Sequence, residues 1–65
     1  MIDTRIFKLK EGDSFKFKVI EIGKINAIVP AKIIWFFVRT SGSRCYYTNG
    51  IKEYSTMWKR PVFKM

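Results

Sequence analysis

Sixty-five residues carry thirteen Lys and Arg against five Asp and Glu, a formal charge of +8. A chain this short makes one domain, residues 1–65, with a thin core, because only roughly 60% of the unfolded surface is buried at this size. One cysteine and no histidine exclude an intrachain disulfide and a four-ligand zinc site.

The first predicted strand is Arg5-Ile6-Phe7-Lys8-Leu9-Lys10 and the second is Ser14-Phe15-Lys16-Phe17-Lys18-Val19. Both alternate apolar and basic residues, the period of a half-buried strand. A three-residue loop at Glu11-Gly12-Asp13, with Gly12 or Asp13 at positive φ, sets Leu9 opposite Phe15 and Phe7 opposite Phe17. The reverse side of that hairpin then presents Lys8, Lys10, Lys16 and Lys18. Ile20 to Val29 reads as a hairpin around Gly23-Lys24, closed off by Pro30, which cannot donate to a ladder. The alternation slips at Val19-Ile20, so a β-bulge is expected there, returning Ile20 and Ile22 to the core and leaving Glu21 outside.

Ile33 to Arg39 is β-branched and aromatic throughout, and pairs with Arg44 to Thr48 across Thr40-Ser41-Gly42-Ser43. A two- or four-residue loop places Arg39 opposite Arg44. One side then carries Ile34, Phe36, Val38, Cys45 and Tyr47. The other carries Trp35, Phe37, Arg39, Arg44, Tyr46 and Thr48. After Asn49-Gly50, the spacing of Tyr54, Met57 and Trp58 predicts a short helical turn near residues 52–59, which Pro61 ends. Val62 to Lys64 forms a last edge strand. The expected fold is mainly β, a small five-stranded antiparallel barrel of SH3-like layout, with an OB-like barrel as runner-up. Layout alone does not fix function.

Catalysis finds little to work with. The closest acids, Glu11 and Asp13, flank a turn glycine, where acids commonly sit for backbone reasons. Cys45 falls on the predicted core side with no histidine to activate it. No phosphate-binding glycine loop is present, so neither an enzyme nor a cofactor is expected. No apolar leader stands at the N-terminus. The longest near-apolar stretch, residues 25–38, contains Asn26, Pro30 and Lys32 and falls short of the roughly 20 residues of a membrane span. These features lead to the expectation of a cytoplasmic protein with no membrane partner and no small-molecule substrate.

Two surfaces carry positive signals. Four lysines on one hairpin face repel one another unless an anion compensates them or solvent screens them. Eleven aromatics exceed what a core of this size needs. Phe7, Phe15, Phe17, Phe36 and Tyr47 fill most of it, which leaves Trp35, Phe37 and Tyr46 spare, framed by Arg39 and Arg44. Flat rings stack on unpaired bases while arginines hold phosphates. Cover by the 51–60 segment and a homodimer contact are the competing uses of that face. Lys59-Arg60 and Lys64 add charge near the C-terminus. The functional expectation is a nucleic-acid-binding accessory protein, for DNA or RNA. In it Lys8, Lys10, Lys16 and Lys18 contact phosphates, Trp35, Phe37 and Tyr46 stack, and Arg39 and Arg44 do both. The alternative is a protein-interaction module, such as a phage or mobile-element product docking on a host protein, or a homodimer.

Overall fold

A computed structural model describes residues 1–21, 23 and 27–65. Its strands are β1 (Ile2–Arg5), β2 (Ser14–Glu21), β3 (Ala27–Pro30), β4 (Trp35–Ser41), β5 (Arg44–Thr48), β6 (Glu53–Met57) and β7 (Pro61–Lys64), with one 3₁₀ turn at Ile6–Lys8. The sheet runs β1-β7-β2-β4-β5-β6, and β3 pairs with β2 off this path. Every pairing is antiparallel. The fold is therefore mainly β with almost no helix, but it has seven strands among the described residues rather than five, and the sheet is not closed into a barrel.

The core gathers Ile6, Leu9, Phe15, Phe17, Phe37, Cys45, Tyr47 and Val62. Phe15 and Phe17 alternate with half-buried Lys16 and Lys18 along β2, as period two requires. Three edge-to-face rings, Phe15, Phe17 and Tyr47, knit the centre at centroid distances of 5.1–5.8 Å. Such pairs add about 0.5–1.5 kcal/mol each beyond the area they bury.

Four local expectations are corrected. First, residues 5–10 do not form a strand beside β2. Ile6 and Leu9 are both buried and stand three residues apart, on one side of a 3₁₀ turn closed by the Leu9 N–H donating to the Ile6 carbonyl at 3.1 Å. The apolar–basic alternation satisfied a period of three as well as two, and the bonds to residues 58–60 decided between them. The partner of β1 is β7 instead, with Thr4 opposite Val62. The turn at Glu11-Gly12-Asp13 does form. Gly12 has φ +88°, a left-handed value that glycine adopts without a Cβ penalty.

Second, β2 and β3 pair without a bulge, in the register Val19 with Val29 and Ile20 with Ile28. Ile20 stays 65% exposed. The expectations for Ile22 and Lys24 lie outside the described residues.

Third, a register shift between Phe37 and Arg39 interrupts the β4–β5 ladder at Val38. Near the tight turn, Ser41 pairs with Arg44 and Arg39 with Tyr46, not Arg39 with Arg44. Beyond the shift Phe37 pairs with Tyr47 and Phe36 with Thr48. One extra residue reverses which side chains face inward. Phe37 is therefore buried, and Phe36, expected in the core, is 43% exposed.

Fourth, residues 53–57 form a strand, not a helical turn. Thr48 pairs with Glu53, Tyr47 with Tyr54 and Cys45 with Thr56, so Tyr54 and Thr56 face inward while Met57 faces out. Pairing with β5 gives this edge strand a full ladder of backbone bonds, which an isolated turn of helix cannot match. The helical spacing of Tyr54, Met57 and Trp58 is incidental to this arrangement.

Candidate nucleic-acid interface

The nine residues expected at the interface do not form one surface. Lys8 sits on the 3₁₀ turn, and Lys10 lies exposed at the next turn, where its backbone N–H donates to Asp13 Oδ2 at 2.9 Å. Lys16 and Lys18 share one side of β2, but Lys18 pairs with Asp3 and lies 5.0 Å from the Phe63 ring centroid. The four-lysine hairpin face is thus corrected: the strand that was to carry Lys8 and Lys10 does not lie beside β2.

Arg39, Arg44 and Tyr46 do share a side, the outer side of β4 and β5. Their polar groups are largely satisfied within the fold. The Arg39 guanidinium lies 4.2 Å over the Tyr46 ring and reaches Glu53 Oε1 at 3.0 Å. Arg44 donates to Ser55 Oγ at 2.9 Å and to the Ser55 carbonyl at 3.1 Å. Trp35 and Phe37 are corrected to the opposite side. Trp35 packs edge-to-face on Tyr47 at 4.9 Å and on Tyr54 at 5.3 Å, and Phe37 is 5% exposed. They are not free to stack on a ligand.

A different group of cations converges elsewhere. Residues 5–8 and 58–60 are laced together by backbone bonds, from the Ile6 N–H to the Arg60 carbonyl at 2.9 Å and from the Phe7 N–H to the Trp58 carbonyl at 3.2 Å. Arg5 adds a bond from its guanidinium to the Lys59 carbonyl at 2.9 Å. These bonds set half-buried Phe7 against half-buried Trp58, with ring centroids 5.0 Å apart. Lys8 Nζ stands 5.9 Å from the Phe7 centroid and Lys59 Nζ 4.8 Å from that of Trp58. The Arg60 guanidinium caps the core at 4.1 Å from Phe17 and donates to Thr56 Oγ1 at 3.4 Å.

The result is a pair of rings with Lys8 and Lys59 over them and Arg5 bonded alongside, while Arg60, next in the chain, lies over Phe17. Among the described residues, none of these four forms an ion pair. Three of the five acids are engaged elsewhere, Asp3 with Lys18, Asp13 with Lys64 and Glu53 with Arg39. Register also places Arg5, Phe63 and Lys16 on one side of the sheet, so the cationic surface continues from the end of β1 onto β2.

An open cleft of about 460 Å³ is lined by Thr56, Met57, Lys59 and Arg60, and Trp58 does not line it. A second, of about 590 Å³, lies along β2 and β3 between Val19, Glu21, Val29, Pro30, Ala31 and Lys32, and brings together no convergent polar groups. Lys8 is the one expected site residue in the cationic group. Trp58 and Phe7 were assigned no binding role from sequence. The signal for Phe7 and Lys8 is the three-residue spacing of Ile6 and Leu9, which buries those two and leaves Phe7 half-buried and Lys8 exposed.

Cations around exposed ring edges can hold phosphates and present flat apolar surface to a base. No group of three or more potential metal ligands occurs among the described residues. Cys45 is fully buried, with its Sγ 3.3 Å from Thr40 Oγ1. No described helix is long and apolar enough to cross a membrane. No family model, curated protein or solved structure matches the chain.

Proposed function

We propose that this chain is a nucleic-acid-binding accessory protein, a binder rather than an enzyme, whose contact is electrostatic and largely indifferent to base sequence. One observation carries the reading. Lys8 and Lys59 lie over Phe7 and Trp58, Arg5 is bonded to the Lys59 carbonyl, and Arg60 follows in the chain over Phe17. All four are without an ion pair among the described residues, while three acids are engaged with other cations. Cations that serve only solubility need no convergence; dispersed charge does that as well. Cations that meet a polyanion gain by clustering, because each neutralised phosphate releases condensed counterions.

If about four phosphates are neutralised, log K falls against log salt with a slope near −3 for a single strand. Between about 50 mM and about 200 mM salt, affinity for a labelled oligonucleotide therefore drops roughly sixty-fold. Fluorescence anisotropy at the two salt concentrations measures this directly, and a flat response removes the proposal.

A second reading rests on a separate surface. Val19 and Ile20 on β2 and Ile28 on β3 are exposed on opposite sides of the β2–β3 ribbon, with Ile33 and Ile34 just beyond. An isolated two-stranded ribbon is marginal in water. Among the described residues, β3 pairs with β2 alone, so an edge of β3 is available to a second copy about a two-fold axis. A homodimer formed this way sediments at twice the monomer mass, and Ile28→Lys returns it to monomer. A monomer at every accessible concentration ends this reading.

A further inference from the structure

We infer that Arg60 is a phosphate clamp: its guanidinium, held over the Phe17 ring, offers its open donors to one backbone phosphate seated in the cleft that Arg60 lines. This rests on the nucleic-acid reading above. Arg60 is anchored at both ends of its backbone. Its N–H donates to the Met57 carbonyl at 3.1 Å, and its carbonyl accepts from the Ile6 N–H at 2.9 Å. The guanidinium lies 4.1 Å from the Phe17 centroid, and one N–H reaches Thr56 Oγ1, on a buried threonine, at 3.4 Å. A guanidinium carries five N–H donors in a planar fork. Among the described residues, that contact to Thr56 is the one bond it makes, and no carboxylate pairs with it. Arg60 is nonetheless an exposed residue, so a partner in solution can reach the remaining donors.

A second guanidinium in the molecule has the same setting, and that one holds an oxyanion. Arg39 lies 4.2 Å over the Tyr46 ring and donates to Glu53 Oε1 at 3.0 Å. In both residues an aromatic ring covers the guanidinium. At Arg39 a carboxylate takes the donors; at Arg60 no acid among the described residues does. A guanidinium is weakly hydrated and keeps a ring contact while it bonds an oxyanion, often through two parallel N–H donors. A lysine ammonium is a compact point charge and offers no such fork. The cleft supplies the seat, about 460 Å³ in volume, with Lys59 as a second cation in its lining. Lys59 forms no ion pair among the described residues either, so both cations of the lining lack an anion. Arg60 is ordered before any ligand arrives, which removes part of the entropy cost of binding. Its contribution therefore comes from geometry as well as charge.

Charge and geometry are separable by experiment. Fluorescence anisotropy gives the affinity of a short oligothymidylate for the unmodified protein, Arg60→Lys and Arg39→Lys at two salt concentrations. Arg60→Lys keeps the charge, so the salt slope holds, yet affinity falls at least about tenfold with the loss of a charge-assisted hydrogen bond. Arg39→Lys, at a guanidinium that Glu53 already occupies on the outer sheet surface, leaves affinity unchanged. Thermal melts establish that each variant is folded. In the unmodified protein, the Arg60 Nε–H resonance shifts on adding oligothymidylate, and inorganic phosphate shifts it in the same direction, while the Arg39 Nε–H resonance stays in place. That measurement decides the matter even if Arg60→Lys does not fold. Undiminished affinity in folded Arg60→Lys, or an Arg60 resonance that oligothymidylate does not move, overturns the inference, and a persisting salt slope then leaves the electrostatic reading intact. A shift with inorganic phosphate alone assigns the seat to a free phosphate and also overturns it. Absence of oligothymidylate binding at either salt concentration overturns both.

Discussion

The two tryptophans are both half-buried, yet their company differs. Trp35 has rings on several sides, with Phe17 at 6.3 Å, Tyr47 at 4.9 Å and Tyr54 at 5.3 Å. Trp58 meets one ring, Phe7, and has a lysine over it. Trp35 belongs to the packing of the central strands. Trp58 also packs against the core, but at its margin, where Lys59 lies over its ring. Fractional exposure does not separate these roles; the chemistry of the neighbours does.

Truncating the two residues' surroundings breaks this comparison if it is wrong. Trp35→Ala and Phe37→Ala each remove an inward ring and cost about 3 kcal/mol or more, enough to unfold much of a domain this small. Phe36→Ala, on the opposite side after the Val38 bulge, costs under about 1 kcal/mol. Chemical denaturation followed by circular dichroism ranks the three. A Phe36→Ala as costly as Phe37→Ala contradicts the register.

A smaller effect is expected at the cationic end. The double substitution Lys8→Glu and Lys59→Glu reverses two charges beside Phe7 and Trp58 and lowers oligonucleotide affinity at least about tenfold, with the melting temperature close to that of the unmodified protein. The smallest effect belongs to the outer sheet surface. Arg39→Gln with Arg44→Gln changes affinity less than about twofold. Their partners are Glu53 and Ser55, so the loss is one exposed ion pair and its hydrogen-bonded neighbour, together about 1 kcal/mol of stability or less. A tenfold loss of affinity there moves the interface back to the sheet.

Much of the fold is written in local pattern. Phe15 and Phe17 alternate with Lys16 and Lys18, Cys45 and Tyr47 alternate with Arg44 and Tyr46, and Gly12 marks the turn before β2. Two kinds of information are absent from such patterns. A single inserted residue at Val38 reverses the inward side of β4, and nothing in Trp35-Phe36-Phe37-Val38 distinguishes the two choices, because all four are apolar. Ile6-Phe7-Lys8-Leu9 fits both a strand and a 3₁₀ turn, and what selects the turn is hydrogen bonding to residues more than fifty positions away. The candidate site depends on that non-local choice, which is why Lys8 was legible as a contact and its neighbours Phe7 and Trp58 were not. The grouping of Arg39, Arg44 and Tyr46 was legible because odd- or even-numbered residues near a tight turn keep their side whether the ladder shifts by two or not.

The most direct measurement is the salt dependence of single-strand affinity in the unmodified protein and in the Lys8→Glu, Lys59→Glu variant. Convergent phosphate contacts at this end predict a slope near −3 that falls by about 1.4 when two of them are lost. A variant with the original slope and affinity would show that these cations do not touch the ligand.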